Sequence, residues 1–140
     1  MIPLNPPALE VGVALDALAA DQSMWSQATF GTDSDRGPIG ALRHLQKEAE
    51  EAERAAWDVA EARDGTDPDF DLPPAAAALA TELADCLLLL LDASRRGGFP
   101  PLQLIHAAQA KMVLNRCRVW SSATGDVPTF HDKAAAVGES

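Results

Sequence analysis

Glu82 and Asp85 stand three residues apart inside PPAAAALATELADCLLLLLDASRRGG (73–98), a stretch otherwise dominated by alanine and leucine. On a helix they project from one face as neighbours, and no Lys or Arg lies within a turn of either. A carboxylate set in apolar surroundings without a partner costs several kcal/mol or takes up a proton. Two adjacent ones call for cations, and a bound metal is the simplest source. Asp92 lies two turns beyond Asp85 on the same side, but Arg95 and Arg96 follow three and four residues later. Asp92 is therefore expected to pair with them rather than join a metal site.

A second acidic group lies earlier, in KEAEEAE, where Glu48-x-x-Glu51 and Glu50-x-x-Glu53 share the same spacing. With Leu45 at 0° on a helical wheel, an apolar stripe of Leu42, Leu45, Ala49, Ala52, Ala56 and Val59 centres near 20°. Glu48 and Glu53 fall roughly 80° and 60° from that centre, Glu50 and Glu51 roughly 120° and 140°. Periodicity does not choose between the pairs, and this helix by itself reads as a solvated face paired with Lys47 and Arg54. Set opposite Glu82 and Asp85, it becomes half of a four-carboxylate, oxygen-only site suited to Mg²⁺ or Mn²⁺. His44, four residues before Glu48, could share a metal. The Glu-x-x-His pairs of a di-iron bundle are absent, so it reads as a surface residue or a support for a ligand.

Lys111, Asn115 and Arg118, spaced four and three apart, form one stripe able to clamp phosphate oxygens. The competing reading is a basic face at a helix C-terminus, where cations are favoured anyway. Trp25 and Phe30 could stack on a base, although core packing is the ordinary role of either aromatic alone. No Gly-rich phosphate loop, GxSxG or zinc-type Cys/His spacing is present.

Four helical segments must position these groups. Met1–Pro7 is proline-rich and reads as an irregular arm. A first helix is expected over Ala8–Thr29, with Leu9, Val13, Ala17 and Ala20 on its buried side and Gly31 as its stop. A second runs from about Pro38 to Arg63, and the turn-rich DGTDPDFDL (64–72) ends it. The leucine-rich helix follows and reads as buried almost all round, ended by Gly97-Gly98. Pro100-Pro101 starts a fourth helix reaching about Arg118, with Ile105, Ala108, Met112 and Val119 on its buried side. Nothing alternates with a strand's period. The expected fold is all-α, a single four-helix domain over 1–120 with a partly ordered tail at 121–140. So much leucine exceeds what one small bundle hides, which points to a dimer or higher oligomer.

The chain of 140 residues is 47% hydrophobic and 23% charged, enough for one domain with a core. Its formal net charge of −10 is the wrong sign for nucleic acid or an anionic membrane. Cys86 and Cys117 form no CxxC and read as reduced core thiols. No Lys or Arg precedes Arg36, so no basic signal region is expected, and LADCLLLLLDA is too short to span a bilayer. A cytoplasmic protein is the expectation.

The ordered set KEAEEAE, a loop, then ELADCLLLLLDA resembles the MazG-like all-α nucleoside triphosphate pyrophosphatase superfamily, marked by ExxE followed by ExxD. Within it, W-x4-FG at Trp25–Gly31, HLQKEAEE, ELADCLLLLLDASRRGG and K-x3-N-x2-R-x-W at Lys111–Trp120 are similar to the dATP/dGTP pyrophosphohydrolase branch of phages and bacteria. The separation of the two acidic motifs is somewhat longer than usual there. The resemblance favours Glu48/Glu51 over Glu50/Glu53. It implies a homodimer or homotetramer, Mg²⁺ (replaceable by Mn²⁺) with two or more ions per site, and a host-cytoplasm location if phage-encoded. The expected reaction cleaves a purine nucleoside or deoxynucleoside triphosphate, dGTP before dATP, to monophosphate and pyrophosphate. In it, Glu48, Glu51, Glu82 and Asp85 hold the metals. A metal-activated water attacks the α-phosphorus, oriented by Glu48 or Glu51, while Lys111, Asn115 and Arg118 bind phosphate or sugar. The alternatives are an acidic helical adaptor without activity, or a metal-dependent phosphohydrolase releasing orthophosphate.

Overall fold

A computed structural model describes residues 6–65, 72–122 and 125–131. Four helices follow in order: α1 (Pro6–Phe30), α2 (Ile39–Asp64), α3 (Leu72–Arg96) and α4 (Pro101–Cys117). No strand occurs among the described residues, and the fold is all-α. Pro6 and Pro7, expected in an irregular arm, open α1 instead, a position where a missing N–H costs nothing; residues 1–5 lie outside the described residues. Most of the turn-rich DGTDPDFDL segment lies outside them too.

The helix ends follow from glycine. Gly65 caps α2 in the left-handed region at φ 64°. α3 closes with Gly97 N–H on Ala93 O, Gly98 N–H on Arg95 O and Phe99 N–H on Ser94 O, with Gly98 at φ 89°. This satisfies carbonyls that the last turn would leave open.

The chain divides into two compact units, 1–101 and 102–140. In the first, α3 pairs with α2 and also touches α1. The least exposed positions of α2 are Ala41, Leu45, Glu48, Ala52, Ala55 and Val59, and those of α3 include Ala75, Leu79, Glu82, Cys86, Leu89 and Ala93. Both series step by four and three, the seam of two helices packed side by side. This corrects the wheel: Leu42, Ala49 and Ala56 are exposed, and the stripe runs through Glu48 itself. Small residues at 52 and 55 fit a close approach of α3, and the larger Leu42 stays outside it.

α1 also turns a different face from the one expected. Leu9, Val13, Ala17 and Ala20 are exposed, whereas Gln22 and Ser26 are buried and hydrogen-bonded to Asp92 of α3. A polar anchor, rather than apolar periodicity, sets its rotation. Nor is α3 buried all round: Leu83, Leu87 and Leu90, spaced four and three apart, are exposed in the single chain. By length and mean hydropathy α3 could cross a membrane. Glu82, Asp85 and the ion-paired Asp92 are groups a bilayer interior would penalise.

In the second unit α4 has no buried residue, so Ile105, Ala108, Met112 and Val119 do not form an inward face within this chain. Trp120 and His131 form an isolated bridge, and Ser121 N–H donates to Phe130 O. Cys86 is half-buried and Cys117 exposed, and neither is in a disulfide. The expectation of two core thiols is thereby corrected; the face of α4 that carries Cys117 is open.

Candidate active site

Glu48 and Glu82 occupy inward positions of the two seams, so packing α2 against α3 forces carboxylates towards each other. Glu48, Glu51 and Glu82 each offer an oxygen within 4.8 Å of the others. Glu50 and Glu53 are exposed on the far side of α2. The helix pairing therefore picks out the Glu48/Glu51 pair, which periodicity left open. Asp85 stands outside this trio but shares a cleft with Glu48.

Three like charges this close repel unless a cation lies among them. The chain supplies little. Lys47 and Arg54 reach Glu51 only at 3.9 and 3.8 Å, from largely exposed side chains. Among the described residues, no Lys or Arg is in ion-pair contact with Glu82 or Asp85. Glu48 is held by His44, whose Nε2 lies 2.8 Å from its Oε1. An all-oxygen donor set with spare lone pairs fits a hard divalent cation.

Next to the carboxylates lies a cleft of about 310 Å³ between α1, α2 and α3. Trp25, Phe30, Leu88 and Leu89 give it apolar walls, and Gln22, Ser26, His44, Glu48, Asp85 and Asp92 its polar groups. Trp25 and Phe30 meet edge to face, centroids 5.3 Å apart, and both keep about half their surface open. They are not interior packing in this chain.

One end of the cleft is closed by an ion network. Asp92 accepts hydrogen bonds from Ser26 Oγ (2.6 Å), Gln22 Nε2 (3.0 Å), Arg95 Nη2 and Arg96 Nε (3.0 Å). Burial pushes its pKa up, but these donors outweigh that and hold the carboxyl at about 2, below the usual 3.8. Arg95 continues to Asp33 and Gln22. Arg96, almost fully buried, reaches Ser26 Oγ and the carbonyls of Gly31 and Thr32. The pairing of Asp92 with both arginines matches the spacing in the sequence. Gln22, Ser26 and Asp33 were not singled out there; the one available signal was a polar pair four apart in the apolar α1.

Lys111, Asn115 and Arg118 lie in the second unit. Arg118 Nη1 donates to Asn115 Oδ1 at 3.3 Å, and the Trp120 indole N–H caps Asn115 O at 2.8 Å. Asn115 and Arg118 thus share a face, and Lys111 is exposed one turn earlier.

An all-helical chain that gathers carboxylates from two paired helices beside an aromatic-walled cleft is consistent with the MazG-like superfamily. Residues 73–136 match the family model of the dATP/dGTP pyrophosphohydrolases, which spans α3, α4 and the turn after them. That segment, a little under half of the chain, is similar to this family, in line with the resemblance read from ELADCLLLLLDASRRGG and Lys111–Trp120; the motifs before Pro73 lie outside the match. Comparison with curated proteins and with solved structures finds no match.

Proposed function

We propose that the protein hydrolyses purine deoxynucleoside triphosphates, dGTP in preference to dATP, to the monophosphate and pyrophosphate, using Mg²⁺ or Mn²⁺. The observation that carries this reading is the convergence of Glu48, Glu51 and Glu82 without a matching cation from the described chain. Glu48, Glu51 and Glu82, with Asp85 from the neighbouring cleft, would hold two or more ions. When bound, these neutralise the triphosphate and make water acidic enough to ionise near neutral pH. Glu48 or Glu51 orients the attacking water and takes its proton. The water oxygen forms a bond to the α-phosphorus, the bond to the bridging oxygen breaks, and pyrophosphate leaves. Lys111 and Arg118 balance phosphate charge and Asn115 donates to phosphate or sugar. Trp25 and Phe30 take the base against their open faces, a role supported by their place on the cleft wall.

The exposed Leu83, Leu87 and Leu90 stripe supports a homodimer or homotetramer, since burying it removes apolar surface from water. The substrate is a free nucleotide, with no nucleic-acid or membrane partner, in the cytoplasm (that of the host if phage-encoded).

The test is a screen of the eight common nucleoside triphosphates with Mg²⁺ and with Mn²⁺, with products identified. Pyrophosphate from dGTP and dATP is the expected result. Orthophosphate would replace this reading with a phosphohydrolase. No turnover, with no rise in melting temperature on adding either metal, would leave an acidic adaptor.

A further inference from the structure

His44 has a contact that the proposed reaction does not use. It sits one turn before Glu48 on α2, and its Nε2 is 2.8 Å from Glu48 Oε1. The Glu48 side chain is about 11% exposed, the least exposed of the three converging glutamates for which the contact matters, while the imidazole is 55% exposed. A carboxylate only accepts, so Nε2 carries the proton and donates it. The ring therefore occupies one lone pair of Oε1 and leaves Oε2 uncommitted among the described residues. Among the described residues, Glu51 is held only by long contacts to two exposed cations, and Glu82 by none. Glu48 is thus the one member of the trio whose carboxylate orientation is fixed by a short hydrogen bond.

We propose that His44 is a positioning residue: it orients the Glu48 carboxylate so that its free oxygen is presented to a divalent cation shared with Glu51 and Glu82. This rests on the metal-dependent reading above. The physical basis is that an unrestrained glutamate must give up rotamer freedom when it takes a ligand, and a hydrogen-bonded one has already done so. His44 binds no metal itself in this scheme, because Nε2 is engaged by Glu48. Its place on the wall of the cleft is a consequence of sitting one turn from Glu48.

The test is Mn²⁺ binding to the nucleotide-free protein, followed by the spin-resonance signal of free Mn²⁺, for wild type, His44→Phe and His44→Gln. Phenylalanine keeps a ring against the cleft but removes the donor. Glutamine can still donate across one helical turn. Loss of a group that orients a ligand costs 10–100-fold in metal affinity. His44→Phe is therefore expected to bind Mn²⁺ about tenfold more weakly, with His44→Gln recovering most of that loss. Metal-free melting temperatures should agree among the three, as the side chain is half in solvent. Wild-type affinity in His44→Phe overturns the inference, and so does a His44→Gln as weak as the phenylalanine variant. If wild type itself binds no Mn²⁺, the metal reading fails first and takes this one with it.

Discussion

Two carboxylates of α3, Asp92 and Glu82, meet opposite fates. Asp92 is enclosed by Ser26, Gln22, Arg95 and Arg96, and its charge is answered within the chain. Glu82, ten residues earlier, converges on Glu48 and Glu51 with no Lys or Arg paired to it among the described residues. One arrangement fastens α1 and its following loop to α3. The other stores repulsion that an added cation relieves. The contrast separates an acid paired within the chain from one proposed to hold a cation where composition cannot, because both lie in the same leucine-rich run.

The largest expected effect breaks the functional side. Glu82→Gln should abolish turnover, a loss of about a thousandfold or more, the scale seen when a charge stabiliser is removed from a reacting site. Its metal-free stability should be equal or higher, since a like charge has gone. Glu50→Gln and Glu53→Gln, on the exposed face, should change the rate by less than about twofold, as surface substitutions do. A Glu82→Gln enzyme with near-native activity would remove the acidic trio from the mechanism.

The structural side should respond in the opposite sense. Asp92→Asn leaves Arg95 and Arg96 without their central partner and should cost about 3–5 kcal/mol in chemical denaturation, the range for breaking a buried pair. Denaturation midpoints within error of wild type would show that the network is decorative. A smaller effect sharpens the comparison by pH. The folded pKa of Asp92 is depressed to about 2 from 3.8, so its contribution is present above the unfolded value and disappears as pH falls through the folded one. Wild type should lose roughly 1–2 kcal/mol between about pH 4 and pH 2 from this group, a loss absent in Asp92→Asn. Parallel pH profiles for the two proteins would contradict the assignment.

How much of this could be read from the chain depends on which force set each feature. Helix number and the C-terminal ends of α1, α2 and α3 were legible because Gly31, Gly65 and Gly97-Gly98 act locally, whereas the start of α1 was not. The pairing of Asp92 with Arg95 and Arg96 was legible because it is fixed by helical spacing. The inward face of α2 was not. A wheel places Leu45, Ala52 and Val59 correctly but weights Leu42 by its hydrophobicity, whereas the real seam takes in small Ala55 and runs through Glu48. The face of α1 was hidden for a related reason: Gln22 and Ser26 are drawn inward by a charge 70 and 66 residues away. Apolar periodicity describes surfaces that avoid water, and both misread faces are governed by polar groups. For the candidate site, the residue types were evident, but the geometry that joined Glu48 and Glu51 with Glu82, and left Asp85 to the cleft, needed the helix packing.

Arg96 grips the connection after α1 through the main-chain oxygens of Gly31 and Thr32. A peptide oxygen is the same whatever residue bears it, so this latch does not depend on the identity of the amino acid at position 32. Gly31, whose φ of 105° excludes most replacements, and Asp33, paired with Arg95, are the positions of the segment where identity still matters. The latch thus fixes the course of the chain leaving Phe30, a wall of the cleft, while tolerating change at position 32.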